Sequence, residues 1–487
     1  MWRDLFGRRW AVPLLLFALV WLSCSWFGSW ELNPNNSTRL FAAISLVNDG
    51  DATIDEFAPL TIDKARFGDH VYLDKAPGMT LMAMPAVALA NGLTAERTAP
   101  RTRDVYDPAL GHFMKIRLRL AAILSSALLT ALAAVALWSL AGAITGNATA
   151  GMVAALAYAL GSPAWGWSTT IFGHASVAAL FTIAAWAIWW GTRDKGATGG
   201  GQRWLAALAG AALGWAVVVE FQAALAGTAI GLWALWRIRA LPIPARLPLI
   251  LAALAGGLAA GLPLIAYNMA VFGVPLKFGY SGVVGFDGMQ QGFFGLTYPK
   301  LPVLFELVFG LRRGLLWVAP VLVLAPLGLV RLCRDPPTRG VGAMASAAIL
   351  IVLLVNAAYV YWDGGYSTGP RHSVPALPLL ALGVAPLWAS LVRLRARIAL
   401  LIVFGLSIAI NLAIAATEIA VPDTVAFPLW RPILADDVAL GYFRDLPSQF
   451  WGWSPWSGMA LYLLLAGCVS GALLAAMRTA RRAAMAD

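Results

Sequence analysis

Charge is what this sequence has least of. Only 12% of its 487 residues are Asp, Glu, Lys or Arg, while 60% are apolar. That balance excludes an ordinary soluble globule and leaves a polytopic membrane protein whose core is its own helix bundle. Cysteine is scarce as well: Cys24, Cys333 and Cys468 lie far apart, in or beside apolar stretches, which excludes a disulfide framework and a metal-ligand spacing. The four histidines have no second ligand at fixed spacing, so no metal-ligating residue is assigned, and a divalent metal is left open as a cofactor. P-loop, G-x-G-x-x-G, H-E-x-x-H and G-x-S-x-G motifs are missing in any convincing context. Arg3, Arg8 and Arg9 precede an apolar run with no small-x-small cleavage site after it, so the first segment reads as an uncleaved span. The net charge of +11 gathers at the ends of apolar runs, where it reports topology and not nucleic acid.

What is there is a series of runs able to cross about 30 Å of hydrocarbon. They fall near 11–29, 118–140, 149–168, 175–191, 247–271, 314–330, 341–361, 373–392, 398–417 and 456–477, with 204–236, interrupted only by Glu220 and Gln222, as a tight helical hairpin. The run 76–93 carries Pro77, Gly78, Pro85 and Gly92 and is ambiguous by hydropathy alone. Loop charge decides it. If 76–93 lies on the surface, one face collects 18 cations against four acids, and the other receives the remaining 17 cations and 20 acids, the asymmetry that the positive-inside rule expects. The expectation is therefore one all-α integral membrane domain, 1–487, with 12 spans and both termini cytoplasmic. Its long outer loop, 31–117, carries interfacial helices; Ala197 to Gly201 reads as a flexible connector on the other side.

The first outer loop is the chain's most polar stretch, crowding Asp49, Asp51, Asp55, Glu56, Asp63, Asp69 and Asp74 among Arg39, Lys64, Arg66 and Lys75. A second motif, Asp363-Gly-Gly-Tyr-Ser-Thr-Gly-Pro-Arg-His372, combines a backbone free to turn, with N–H groups to offer, and the Arg371 guanidinium. That combination suits a phosphate; a plain Gly-Pro turn with a headgroup-anchoring arginine fits the same residues. Glu220 is either a substrate ligand or the solvated end of a hairpin, and His174 either a site residue or an interfacial one. The pairs Trp165/Trp167 and Trp189/Trp190 and the group Trp451/Trp453/Trp456 read as interfacial belts.

A long acidic first loop, an acid-Lys-x-Pro turn and a multi-span bundle together resemble the GT-C superfamily of polyprenyl-phosphate-sugar-dependent glycosyltransferases. Lipid A aminoarabinose transferases and their relatives carry D-E-x-R-Y, then G-D, then E-K-P-P-L; this chain has Asn36-Ser-Thr-Arg-Leu40, Asp49-Gly-Asp51 and Asp74-Lys-Ala-Pro-Gly78. Protein O-mannosyltransferases show a similar D-x-H-P-P-L, and Gly364 to Arg371 resembles family-39-like bacterial members. The resemblance implies a GT-C-like bundle, a polyprenyl-phosphate sugar donor, and contacts from Arg39 and Lys75 to its phosphate. It fails at one place: Asn36 and Ser37 stand where the family has its Asp-Glu pair, so the usual catalytic aspartate is absent there.

The expected activity is inverting transfer of a sugar from a polyprenyl phosphate to a glycan, lipid or protein acceptor, at the periplasmic or extracellular face of the cytoplasmic membrane. Cations neutralise the leaving phosphate and an Asp takes the acceptor proton. Asp63 and Asp55 are the candidate bases, with Asp63 favoured because Lys64 and Arg66 would keep it ionised. Arg39, Asp74, Lys75, His174, Glu220, Arg371 and His372 are the candidate binding residues. A transporter or flippase would place ionisable groups at mid-membrane and repeat its halves; an O-antigen ligase or polymerase would place its large loop late; an assembly scaffold would not need the loop's acids.

Overall fold

The computed structural model describes residues 10–193 and 200–486. The cations Arg3, Arg8, Arg9 and Lys195, the acids Asp4, Asp194 and Asp487, and positions 197–199 of the expected connector lie outside them. Long apolar segments can satisfy their backbone without water only within a helix or a closed barrel, and this chain forms helices. In order they are α1 (Ala11–Trp26), α2 (Pro34–Asn48), the hairpin β1 (Ala65–Phe67) and β2 (His70–Tyr72), α3 (Gly78–Thr94), α4 (Pro108–Thr145), α5 (Ala148–Ala159), α6 (Gly173–Gly191), α7 (Gly200–Val219), α8 (Ala223–Ile238), α9 (Ile243–Phe272), α10 (Arg339–Ala358), α11 (Arg371–Ser390), α12 (Leu394–Ala416) and α13 (Pro455–Ala486). Among the described residues eight helices are long and apolar enough to cross a membrane; α1, α3, α5 and α8 are shorter apolar helices.

Two of the expected spans are not continuous. The 149–168 run ends as α5 at Ala159, is interrupted through Leu160-Gly-Ser-Pro163, and resumes as a short helix, Ala164–Trp167. The 314–330 run breaks into Leu315–Val318, Pro320–Val323 and Ala325–Arg334. Pro320 explains the first break, because a proline pushes the residue before it out of the helical region, and Ala319 sits at φ −152°, ψ 62°. Hydropathy counts apolar residues and cannot see either interruption. The tryptophan reading also changes: Trp165 and Trp167 are buried, and Trp165 Nε1 donates to the Ser23 carbonyl at 2.9 Å, so this pair is core and not an interfacial belt.

Helix α2 is the unusual element. Asn33 caps it by accepting from the Asn35 N–H at 3.1 Å, with Pro34 at its first position, a favoured start. Yet Asn35, Asn36, Ser37, Thr38 and Arg39, its first turn and a half, are all buried. Burying polar groups is tolerated only where they find partners, so this end of α2 marks where the structure has built a polar interior. The β hairpin turns at Gly68 and pairs Ala65 with Tyr72. It returns the chain to α3, where Thr80 Oγ1 donates to the Arg39 carbonyl at 3.1 Å. The second polar loop, 273–300, lies across the hairpin: Ala65 bridges Val283, and the Val284 N–H donates to the Lys64 carbonyl at 3.1 Å.

Candidate active site

The two polar loops, the tip of the α7–α8 hairpin and the start of α11 enclose one cavity of about 430 Å³. Arg39, Asp63, Asp74, Lys75, His174, Glu220, Arg371 and His372 all line it. Three carboxylates thus face three cations, so the charges of the wall are close to balanced.

Each charge is positioned by a local device. Arg39 projects from α2 and is 1% exposed; Nη1 donates to the Asn35 carbonyl at 3.1 Å and to that residue's amide oxygen, and Nη2 to Glu220 Oε1 at 3.3 Å. Glu220 occupies the α7–α8 turn and reaches over Gly173, where any Cβ would collide with its carboxylate. Its other neighbour is His174 Nδ1, 3.9 Å away. Asp63 is held from behind, its carbonyl accepting from Thr38 Oγ1 at 2.6 Å and its N–H donating to Thr61 Oγ1 at 3.2 Å. In front, its carboxylate lies 3.2 Å from Lys75 Nζ, which also contacts Asp74. Burial pushes the Asp74 carboxyl above its ordinary range, against the opposing pull of Lys75. For Lys75 burial works the other way, but Asp63 and Asp74 together outweigh it and hold the ammonium above its ordinary value.

Arg371 is different. No carboxylate pairs with it among the described residues, its buried Nε has no hydrogen-bond partner, and its guanidinium lies 5.2 Å from the Phe172 ring centre. It packs over Gly364, at φ +78°, where a side chain would be strained and would strike it. Four of the turn's own N–H groups, however, are already taken. The Gly364 N–H donates to Tyr361, Gly365 to Asp363 Oδ1, Ser367 to Val421 and Thr368 to Ile419. The expected backbone nest therefore lacks those four donors, while the guanidinium keeps a buried, unpartnered Nε. Arg313, unexposed, buckles this turn by donating to the Asp363 carbonyl at 2.8 Å and the Gly365 carbonyl at 2.6 Å.

Asp55 lies apart. Its two oxygens engage the Val71 N–H and His70 Nδ1, each at 2.6 Å, and it faces a separate open groove with Asp49, Asp51, Glu56 and Arg97, Arg101 and Arg103. Asn36 is consumed by neutral partners: its amide nitrogen donates to Ser29 Oγ and the Trp30 carbonyl, and its oxygen accepts from the Ile171 N–H. The cavity also has an aromatic lining, with Phe221, Phe278, Tyr280, Phe294, Tyr359 and Tyr361. Sequence reasoning missed this lining because half of it comes from an aperiodic loop and the rest from turns at helix ends; the only signal was the aromatic density of 278–294.

No protein-family model matches this sequence, and no curated protein matches it. The fold is similar to that of ArnT from Cupriavidus metallidurans bound to undecaprenyl phosphate, with a TM-score of 0.52 and 16% identity over 97% of this chain and 75% of that one. AglB from Archaeoglobus fulgidus, in complex with an inhibitory peptide and a dolichol-phosphate, aligns with a TM-score of 0.46 and 12% identity over 86% of this chain and 57% of its own. The chain is an all-α, multi-pass membrane protein. Its fold is GT-C-like, as the sequence resemblance implied.

Proposed function

We propose that the chain transfers a sugar from a polyprenyl phosphate to a cell-envelope acceptor at the outer face of the cytoplasmic membrane. The observation that carries this reading is Arg371, a half-buried cation with no carboxylate partner among the described residues, at the wall of a cavity that also holds Lys75 and Arg39, on a fold similar to that of a protein solved with undecaprenyl phosphate bound. A desolvated phosphate needs paired cations, and Arg371 is available without breaking an existing pair. Lys75 and Arg39 complete the charge neutralisation as the phosphate leaves.

Asp63 is the base in this account. It lines the cavity, while Asp55 is occupied in another groove. The acceptor hydroxyl loses its proton to the Asp63 carboxylate as its oxygen bonds to the anomeric carbon; the bond to the phosphate oxygen breaks and its electron pair stays with the phosphate. One displacement inverts that carbon. The fixed backbone of Asp63 and the adjacent Lys75 keep the carboxylate oriented. The first outer loop contributes Asn35, Arg39, Asp63, Asp74 and Lys75 to the site, and in this reading α3 lies at the membrane interface.

Mass spectrometry of envelope glycans and lipids from cells with and without the protein tests this. The expected result is loss of one sugar from one envelope component, restored by wild type and not by Asp63→Asn. An unchanged glycan and lipid profile would contradict it.

A further inference from the structure

Behind the charged end of the cavity a narrow recess of about 30 Å³ runs between α6, α8 and α10. It shares His174, Glu220, Tyr359 and His372 with the main cavity, and its far walls are apolar, including Val177, Phe181 and Val352. Its polar groups are unevenly satisfied. Asn356 is paired at both amide atoms, donating to the Trp362 carbonyl at 2.7 Å and accepting from Ser373 Oγ at 2.8 Å. His174, 5% exposed, has no partner for Nδ1, and His372 none for Nε2. A buried polar atom left unmatched in this way signals something that completes it.

The His174 ring is fixed, with Trp167, Phe172 and His372 around it, the last edge-on at 5.0 Å between ring centres. Nδ1 and Glu220 Oε1 are 3.9 Å apart, too far to bond directly. One oxygen about 2.8 Å from each would bridge them, donating its hydrogen to the carboxylate and accepting from the imidazole N–H. The recess exceeds the roughly 10–15 Å³ that a water-sized group requires but has no room for a sugar ring. Gly173 is part of the device, since any side chain there would displace Glu220.

We infer that this recess is a specificity subsite: it receives one hydroxyl substituent of the transferred sugar, which bridges His174 Nδ1 and Glu220 Oε1. The inference rests on the donor reading above. It makes the enzyme selective for sugars that carry that hydroxyl, because an analogue lacking it leaves both buried groups unpaired.

The test uses full-length protein in nanodiscs and calorimetric binding of undecaprenyl phosphate and of its glucosyl, mannosyl and galactosyl derivatives. The tightest sugar is then compared with its single-deoxy analogues on wild type, His174→Phe and His174→Asn. One deoxy analogue should bind wild type about tenfold or more weakly, His174→Phe should bind the parent sugar weakly to a similar degree, and the two losses should not multiply. His174→Asn, whose amide nitrogen can stand where Nδ1 does, should restore discrimination. Losses that multiply, or a wild type that binds every analogue as tightly as the parent, would overturn the subsite; the second result needs no variant to fold. If undecaprenyl phosphate itself does not bind wild type, the donor reading falls and the subsite with it. If the phosphate binds and sugars add nothing, only the subsite falls.

Discussion

Asp63 and Lys75 meet at 3.2 Å because the register of the β1–β2 hairpin, Ala65 opposite Tyr72, brings the residues flanking its two strands together. The pair places a carboxylate and an ammonium side by side on the wall of the cavity. Asp63→Asn keeps the shape and removes the proton acceptor, so transfer should fall by about 10²- to 10⁴-fold while donor binding persists. Asp55→Asn should retain transfer and lower the melting temperature slightly, through its weakened bonds to Val71 and His70. Single-turnover transfer and thermal melting separate the two. Transfer lost in Asp55→Asn and kept in Asp63→Asn would reverse the assignment.

His70 supplies a pH dependence. Its contact with Asp55 holds the imidazole above its ordinary value, so the stabilisation is complete below about pH 6.5 and fades as pH rises through the raised folded value. Hydrogen exchange at Val71, corrected for intrinsic rate, should therefore be slower at about pH 6 than at about pH 9. Asp55→Asn should erase the difference. A difference that survives the substitution would show that His70 is not its source.

Gly173→Ala drives a methyl group into the Glu220 carboxylate and disturbs its pairing with Arg39. Overpacking of this kind costs about 1–3 kcal/mol. Thermal melting of the purified protein should show the loss, whereas Gly50→Ala, an open turn position at φ +76°, should show only the smaller strain of its backbone. Equal effects would mean that Glu220 yields freely.

Much of this arrangement was visible in the sequence as residue types, and little of it as geometry. The hairpin at Glu220 follows from two polar residues interrupting an apolar run, and the helices α7 and α8 flank it as that pattern requires. Arg371 stood out as a guanidinium beside a Gly-Pro turn and Arg39 and Lys75 through the family resemblance, and all three line one cavity. Sequence favoured Asp63 over Asp55 only through its neighbours Lys64 and Arg66, which say nothing of where either carboxylate points. Contacts with His70 and Val71 separate them, and those depend on the hairpin register. The two broken spans and the buried Trp165 and Trp167 were hidden because hydropathy does not encode packing.

Topology offers a prediction independent of chemistry. A cysteine introduced near Gly288, in the loop over the cavity, should react with an impermeant thiol reagent in intact cells, and one near Asp335 should resist it. Labelling near Asp335 would invert the assignment of faces and place the cavity on the cytoplasmic side.

The central claim is that the cavity holds a lipid phosphate against Arg371, and binding of undecaprenyl phosphate to the purified protein in nanodiscs tests it most directly. Wild type should bind saturably, and Arg371→Ala should weaken binding by about 2–5 kcal/mol, the loss expected when one partner of a desolvated charge pair is removed. Arg371→Lys should recover part of that loss as a point charge without the guanidinium fork. Undecaprenyl phosphate that fails to bind wild type, or that binds Arg371→Ala as tightly as wild type, would contradict the account.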